Sequence, residues 1–286
     1  MKPFPIPVVP FGPGSQAGDD GFDYLAMPSP EPLPRPQPPQ AASRRDRAIA
    51  ADLLDRLLGQ MRAGDFDGCR GARLAISDVD AAARRALNES LGQGEVSAIV
   101  REPAGTSGWH VQESAFCGVW RVQRVAADAA VVEDLIEVND MPHAVRRGAG
   151  QGAARLQPAA PLPPGVMNAP AVLHEIREHA RRCVPGQPAH VINLSHLPFN
   201  EVDHAALAEA LGEGAVTILS RGFGNCRITS TAAPRVWRVQ YFNSMSTLIL
   251  DTVEVVDMPE AALANADDFA DSRERLGELV AWLREA

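Results

Sequence analysis

The chain has 286 residues, of which 45% are hydrophobic, and a formal net charge of −9. This composition is that of a globular protein, and the length suffices for one large core or two small ones. The acidic balance argues against a nucleic-acid-binding surface, which needs clustered basic residues. No apolar run approaches the ~20 residues that span a bilayer, and the N-terminus lacks a secretory pattern, so we expect a cytoplasmic location.

The first 42 residues are expected to form an extended arm. They are rich in proline, as in the run SPEPLPRPQPPQ. Proline fixes φ and removes an amide donor, which disfavours both helices and central strands. The pair Gly12 and Gly14 lies in this arm, but no strand precedes it and no helix follows, so the context of a phosphate-binding loop is missing.

Residues 43–145 are predicted to form a first α+β unit. Ser43 and Asp46 resemble a capping box, and leucines at helical spacing then predict a helix that ends at Gly64. Gly92, after a second helix, is expected to be a left-handed C′ residue. The further elements predicted here are a strand near 73–76, a helix at 80–91, a strand from Val96, and strands at about 109–113, 116–125 and 131–138.

Residues 146–165 are predicted to be a Gly/Pro/Ala linker, because they contain these residues and arginine without periodicity. A second α+β unit is predicted at 166–286, ending in an amphipathic C-terminal helix. Asn168 is expected to cap its first helix. The other elements predicted here are a strand at 191–194, a helix at 200–211, strands at 216–220, 226–230, 235–242 and 248–256, and a hairpin turn at 221–225.

The second unit repeats the first. LGQGEVSAIV at 91–100 returns as LGEGAVTILS at 211–220, VWRVQ at 119–123 returns at 236–240, and DMP at 140–142 returns at 257–259. Matches in order and at nearly constant offset indicate an internal duplication, with a period far longer than that of solenoids. Consecutive strands at hairpin spacing favour an α+β fold, in which a helix-plus-antiparallel-sheet domain occurs twice. Trp120 and Trp237 are expected to anchor equivalent cores.

The segment LHEIREH, residues 173–179, resembles a metal-binding helix. The zinc-protease pattern needs histidines at positions i and i+4. Position i+4 from His174 is Glu178, and the second histidine comes one residue later. Two ligands make a weak site. We therefore interpret these side chains as solvated or capping, and predict neither a metal nor another cofactor.

Cys117 leaves two interpretations open. It lies in a predicted strand, where a small buried hydrophobe is favoured over a reactive thiol, because no neighbouring base is visible in the sequence. Its counterpart in the second unit is Pro234. The four cysteines are widely spaced and are expected to be reduced. No Ser/His/Asp set can be assembled from spacing, so we predict a binding protein without catalytic residues, not an enzyme.

A set of short stretches along nearly the whole chain carries a family resemblance. They are Gly12–Gln16 with Asp19 and Asp20, Leu91–Ser97, Gln112–Glu113, Phe116–Val122, Gly165–Asn168, Leu173–Glu175, Ile192–Leu194 with Leu197–Pro198, and Met258–Glu260. Together they resemble the hydrogenase expression/formation proteins of the HupH/HyaF type.

This resemblance implies an accessory role in [NiFe]-hydrogenase maturation. Such proteins are thought to attend the immature iron–sulfur small subunit before its export and assembly, together with a thioredoxin-like maturation protein. The resemblance implies no catalytic residue. The candidate partner-binding residues are Gly12, Gly14, Cys117, Trp120, Met167, Asn168, His174 and Glu175.

Two like lobes joined by a flexible linker are expected to present a cleft, in which the proline-rich arm can lie. We interpret the chain as a chaperone for the small-subunit precursor. The alternatives are a metal- or thiol-handling maturation factor acting through Cys117 or through His174 with Glu178, and a passive scaffold between other maturation proteins.

Overall fold

The computed structural model describes residues 42–62, 71–102, 107–150, 156, 162–222 and 224–285. The predicted proline-rich arm, with Gly12 and Gly14, lies outside the described residues apart from residue 42.

The first repeat consists of α1 (Arg44–Arg62), β1 (Ala72–Ala75), α2 (Ala81–Leu91), β2 (Val96–Arg101), β3 (Ser107–Glu113), β4 (Val119–Ala126), β5 (Val131–Val138) and α3 (His143–Gly150). The second repeat consists of α4 (Ala169–Arg182), β6 (His190–Asn193), α5 (Glu201–Leu211), β7 (Val216–Ser220), β8 (Asn225–Ser230), β9 (Val236–Phe242) and β10 (Leu248–Val255), and α6 (Ala266–Glu285) ends the described chain. Short 3₁₀ helices cover Leu194–His196 and Glu260–Ala262.

All ten strands form one antiparallel sheet in the order β1-β5-β4-β3-β2-β7-β8-β9-β10-β6. The order reads the same from either end once each strand is replaced by its counterpart in the other repeat. At the centre, Ala98 of β2 lies opposite Ile218 of β7, which is its own counterpart in the duplication. The two repeats are therefore related by a twofold axis through this pair, and the α+β prediction is confirmed.

The two repeats are not separate lobes, and residues 151–155 and 157–161 of the predicted linker lie outside the described residues. The strands β2 and β7 join the repeats edge to edge, and one cluster of buried side chains runs from Trp120 in the first repeat to Trp237 in the second. The start of the predicted linker is helical, because α3 continues to Gly150. A Cβ at Gly148 would collide with the side chains of Val100 and Val216, so glycine here lets the helix pack closely over the junction.

The C-terminal helix α6 packs against the first repeat, although it follows the second in sequence. Its buried residues Phe269, Leu276 and Val280 belong to the same cluster as Leu54 and Leu57 of α1. The predicted assignment of this helix to the second repeat is therefore corrected. The crossing places residues from the end of the chain next to the turn between β3 and β4.

The repeated Leu-Gly-x-Gly sequence has a structural cause. Gly92 and Gly212 follow α2 and α5 with φ of 61° and 60°, but their ψ values of −164° and 174° lie outside the left-handed helical region, so the predicted conformation of Gly92 is correct in φ alone. A Cβ at Gly94 would collide with the Ser114 carbonyl oxygen, and a Cβ at Gly214 with the Thr231 carbonyl oxygen. Both glycines are required by close backbone approach.

Trp120 and Trp237 occupy equivalent buried positions, as predicted. Their exposed fractions are 0% and 1%, and their indole N–H groups donate to the carbonyl oxygens of Asn139 and Val256 at 2.8 and 3.2 Å. In the part of the chain that the structure describes, none of the helices is both long and apolar enough for a bilayer.

Candidate functional site

A cleft of about 800 Å³ opens where the two repeats meet. The first repeat contributes Glu95, Glu113 and Cys117, the second contributes Ser220, and α6 contributes Asp268. Many of the stretches that carry the family resemblance surround it, so we take it as the candidate functional site.

The walls of the cleft follow from the central strand pair. Val96 lies opposite Ser220, and the Arg221 N–H donates to the Glu95 carbonyl oxygen at 3.1 Å. A Cβ at Gly222 would meet the Glu95 carboxylate, so this glycine leaves room for that side chain. The cleft therefore depends on the continuous sheet and would not exist in an isolated repeat.

Cys117 lies in the tight turn between β3 and β4, and the prediction that it lies in a strand is wrong. The following residue, Gly118, has φ of 76°. The Ser114 hydroxyl accepts from the Phe116 N–H at 3.1 Å and closes the turn. The Cys117 backbone N–H donates to Ser272 Oγ of α6 at 2.8 Å, and its thiol donates to the Asn265 carbonyl oxygen at 3.7 Å. The turn is thereby attached to the C-terminal helix.

The Cys117 thiol is protonated at neutral pH. Burial, and then the neighbouring Glu113 carboxylate, raise its pKa to about 12. A thiol is a strong nucleophile only as the thiolate. The favoured interpretation of Cys117 as a packed side chain without reactivity agrees with this environment.

Glu113 is a buried carboxyl at the back of the cleft. Burial raises its pKa to about 7, although hydrogen bonds from the backbone N–H groups of Val96, Gly118 and Glu95 act in the opposite direction. Near neutral pH this group is therefore divided between its neutral and charged forms.

The mouth of the cleft is acidic. Glu95, Glu260, Asp268 and Asp271 line it and are exposed. Arg275 lines it too, but its guanidinium lies 3.7 Å from Asp271 and 5.5 Å from the centroid of the Phe116 ring. The excess of carboxylates gives this opening a negative potential, which attracts cationic groups.

The other predicted site residues that the structure describes do not line this cleft. Trp120 is fully buried, whereas Met167 is 75% exposed beside the start of α4. Asn168 stands at the N-terminus of α4 as predicted, but its side chain makes no capping bond there and donates to the Pro198 carbonyl oxygen at 2.8 Å. His174 and Glu175 are exposed on α4.

The cap of α4 comes from Asp203 of α5, which the sequence analysis missed. One carboxylate oxygen of Asp203 accepts from the N–H groups of Met167, Asn168 and Ala169 at 2.8, 2.8 and 3.0 Å. Burial opposes ionisation, but these bonds outweigh it and lower the pKa of Asp203. The local spacing of a helix cap could not reveal it, because Asp203 is more than thirty residues from the start of α4.

His174 and Glu178 are engaged by arginines of their own helix. The Arg177 guanidinium donates to His174 Nδ1 at 3.1 Å, and the Arg181 and Arg182 guanidiniums lie 2.8 and 3.7 Å from the Glu178 carboxylate. His174 is exposed and Glu178 is half-buried, and the interpretation of these side chains as solvated or capping stays a prediction.

The fold and the cleft define a duplicated α+β protein with an acidic opening at the junction of its repeats. The model of a protein family described as HupH hydrogenase expression protein, C-terminal conserved region, matches residues 50–156 and 166–283. The chain belongs to this HupH hydrogenase expression protein family.

Relatives with curated names extend over nearly the full length. The chain is 42% identical to the hydrogenase expression/formation protein HoxQ of Cupriavidus necator, with 99% of each chain covered. It is 43% identical to HupH of Rhodobacter capsulatus, with 98% of each covered, and 33% identical to the hydrogenase-1 operon protein HyaF of Escherichia coli, with 96% of each covered.

Among solved structures, the hydrogenase expression protein HupH from Thiobacillus denitrificans matches at 31% identity and a TM-score of 0.38, over 40% of this chain and 95% of that one. The names of the curated relatives support a role in hydrogenase maturation.

Proposed function

We propose that this protein is an accessory chaperone of [NiFe]-hydrogenase maturation. It binds the immature iron–sulfur small subunit in the cytoplasm before assembly or export, and a positively charged segment of that subunit enters the acidic cleft. The thioredoxin-like maturation protein is a further partner in this proposal. The observation that carries it is the group of exposed carboxylates, Glu95, Glu260, Asp268 and Asp271, around an opening built by both repeats and α6.

Electrostatics support a cationic ligand for this opening. Carboxylates at the mouth attract a basic segment over several ångströms, and the partly buried walls reduce the screening by solvent. Charge complementarity mainly raises the association rate and excludes wrong partners, which suits a protein that must bind and then release its client.

The protonated thiol supports binding without covalent chemistry. Neutral Cys117 is a poor nucleophile, and its backbone N–H and thiol are already used to attach α6. The alternative of a thiol- or metal-handling factor acting through Cys117, or through His174 with Glu178, has less support, since arginines engage the latter two side chains.

A pull-down from cells that make the hydrogenase tests the proposal. The full-length protein should retain the small-subunit precursor, and the triple variant Glu95→Gln, Asp268→Asn, Asp271→Asn should retain much less. The interaction should also weaken as the salt concentration rises. Repeating the pull-down with a precursor that lacks its leader shows whether the basic segment lies in the leader or in the mature subunit.

A matched triple variant controls for net charge. Asp78→Asn, Glu209→Gln and Glu278→Gln remove three exposed carboxylates that do not line the cleft. This variant should bind the precursor like the wild type, and so should Cys117→Ser. Equal loss in both triple variants would refute a role of the cleft, whereas loss of maturation in a folded Cys117→Ser protein, or iron bound to Cys117 or to His174 and Glu178, would favour the thiol- or metal-handling alternative.

A further inference from the structure

Three side chains with metal-binding atoms meet beside the edge strand β6, away from the acidic cleft. Glu175 and His179 lie one turn apart on α4, and His190 is the first residue of β6. One donor atom from each residue lies within 4.8 Å of the donor atoms of the other two. In the described ranges, no further group of three or more His, Cys, Asp or Glu residues meets this criterion.

The three side chains already contact one another. His190 Nε2 lies 2.8 Å from a Glu175 carboxylate oxygen, and the rings of His179 and His190 stack with centroids 3.4 Å apart and planes inclined by 2°. Glu175 and His179 are exposed, whereas His190 is half-buried. The cluster is therefore open to ions from the solvent.

The backbones that carry these side chains are held in place. His190 pairs with Val255 of β10, so β6 is fixed to the sheet. At the other side, the Arg235 guanidinium donates to the Cys183 carbonyl oxygen at the end of α4, at 2.7 Å. The three donor atoms already lie within 4.8 Å of one another, so little ordering is needed to bind an ion, which keeps the entropic cost of binding small.

The donor set indicates the kind of metal. Two imidazole nitrogens and one carboxylate oxygen, with a remaining position for water, are a known ligand set for Zn²⁺. Imidazole suits first-row transition metals, whereas Ca²⁺ and Mg²⁺ prefer oxygen ligands alone. The neighbouring arginines Arg181 and Arg182 form ion pairs with Glu178. Among the described residues, Glu175 forms its ion pair with His190.

We propose that Glu175, His179 and His190 form a solvent-open site for a divalent first-row transition metal such as Zn²⁺. The ion would join the C-terminal half of α4 to β6 and close the loop at 183–189. Counted from His174, the helix lacks the metal-binding spacing, but an i and i+4 pair begins at Glu175 and the third ligand comes from a strand. The site is separate from the cleft and does not depend on the proposed function.

Calorimetric titration of Zn²⁺ into the full-length, chelator-treated protein tests the site. We expect one saturable site per chain, with affinity lowered by roughly tenfold or more in His179→Ala, His190→Ala and Glu175→Gln, since even loss of an outer-shell partner commonly costs about tenfold. Zn²⁺ should raise the thermal unfolding midpoint of the wild type and leave that of the His179→Ala, His190→Ala double variant unchanged. The Co²⁺-substituted protein should show nitrogen and oxygen ligation without a thiolate charge-transfer band.

His174→Ala is the matched control, because His174 is exposed on the same helix but outside the cluster. It should bind Zn²⁺ like the wild type. Circular dichroism confirms that each variant is folded. The site is refuted by absence of saturable binding, by a thiolate band, by wild-type affinity in the His179→Ala, His190→Ala double variant, or by an equal loss in His174→Ala.

Discussion

The two repeats build the same turn with different side chains. In the first repeat Gly94 donates its N–H to the Glu113 carbonyl oxygen at 2.7 Å, and in the second Gly214 donates to the Ser230 carbonyl oxygen at 2.9 Å. The side chains at this shared position differ. Glu113 has a titratable carboxyl, whereas Ser230 has a hydroxyl that accepts from the Val216 N–H at 2.9 Å. At this position the duplication preserved the backbone hydrogen bond, whereas the ionisable side chain is present in the first repeat alone.

A second position in the comparison, four residues later, provides a contact with α6. Cys117 has a backbone N–H, which donates to Ser272 of α6, but its counterpart Pro234 has none. The following residues, Gly118 and Arg235, share a positive φ, of 76° and 61°. The turn of the first repeat thus contacts the helix that lines the cleft, and the second repeat lacks the equivalent donor.

The largest expected effect tests whether the two cores are equivalent. Trp120→Ala and Trp237→Ala should each lower the free energy of unfolding by about 3–5 kcal/mol, because each removes a fully buried indole from the shared cluster. Urea denaturation followed by circular dichroism measures this. Trp282→Ala, at a 41% exposed position on α6, should change little. A large loss in one core variant and a negligible loss in the other would break the equivalence.

The second effect depends on pH and separates Glu113 from Ser230. Burial raises the pKa of Glu113 from 4.5 to about 7, so the folded state binds the proton more tightly than the unfolded state. Stability from this group is present below pH about 4.5 and is lost as the pH rises through about 7. Relative to Glu113→Gln, the wild type should lose about 3 kcal/mol over this range.

Urea denaturation between pH about 5 and about 8 follows that difference. Ser230→Ala should be less stable than the wild type by a constant amount, since a hydroxyl does not titrate in this range. Parallel curves for the wild type and Glu113→Gln would show that Glu113 has no raised pKa.

A third prediction compares the N-terminal caps of α1 and α4. Ser43 caps α1 locally, with its Oγ accepting from the Asp46 N–H at 3.1 Å, whereas Asp203 caps α4 from another helix. Asp203→Ala should cost about 2–3 kcal/mol, because three backbone N–H groups lose their acceptor, and Ser43→Ala about 1 kcal/mol. Thermal and urea unfolding measure both values, and the reverse order would contradict this assignment.

The smallest effect separates the backbone of Cys117 from its thiol. Cys117→Pro gives the first repeat the residue of the second and removes the N–H that holds Ser272, which should cost about 1 kcal/mol and increase hydrogen exchange in the first turns of α6. Cys117→Ser keeps that N–H and should leave α6 protected. Equal exchange in both variants would show that this bond does not hold the helix.

Most elements could be located from the sequence because they are defined by short-range signals. Alternating or helical hydrophobic spacing, with Gly and Pro at the ends, placed strands such as 131–138 and 216–220 at their observed bounds. The pattern failed at α3, whose glycines indicated a linker. Gly148 is there because α3 packs closely against Val100 and Val216, and such a tertiary contact leaves no local signal.

The candidate sites were less predictable, because distant segments build them. Cys117 was identified, but its partners Asn265 and Ser272 lie about 150 residues later and come close only because α6 crosses to the first repeat. The pairing of β2 with β7 was equally unpredictable, because any exposed strand edge can pair with another strand. The spacing of residues within α4 likewise could not show that His190 lies beside Glu175 and His179.

The pairing of Ala98 with its own counterpart Ile218 has a consequence for stoichiometry. Such isologous contact is the geometry of a symmetric homodimer interface. A dimer of identical subunits would present the same surface twice, but a tandem fusion frees each half to diverge. Among the described residues, the fused chain has one acidic opening lined by α6, so we expect the proposed complex to contain one client per chain.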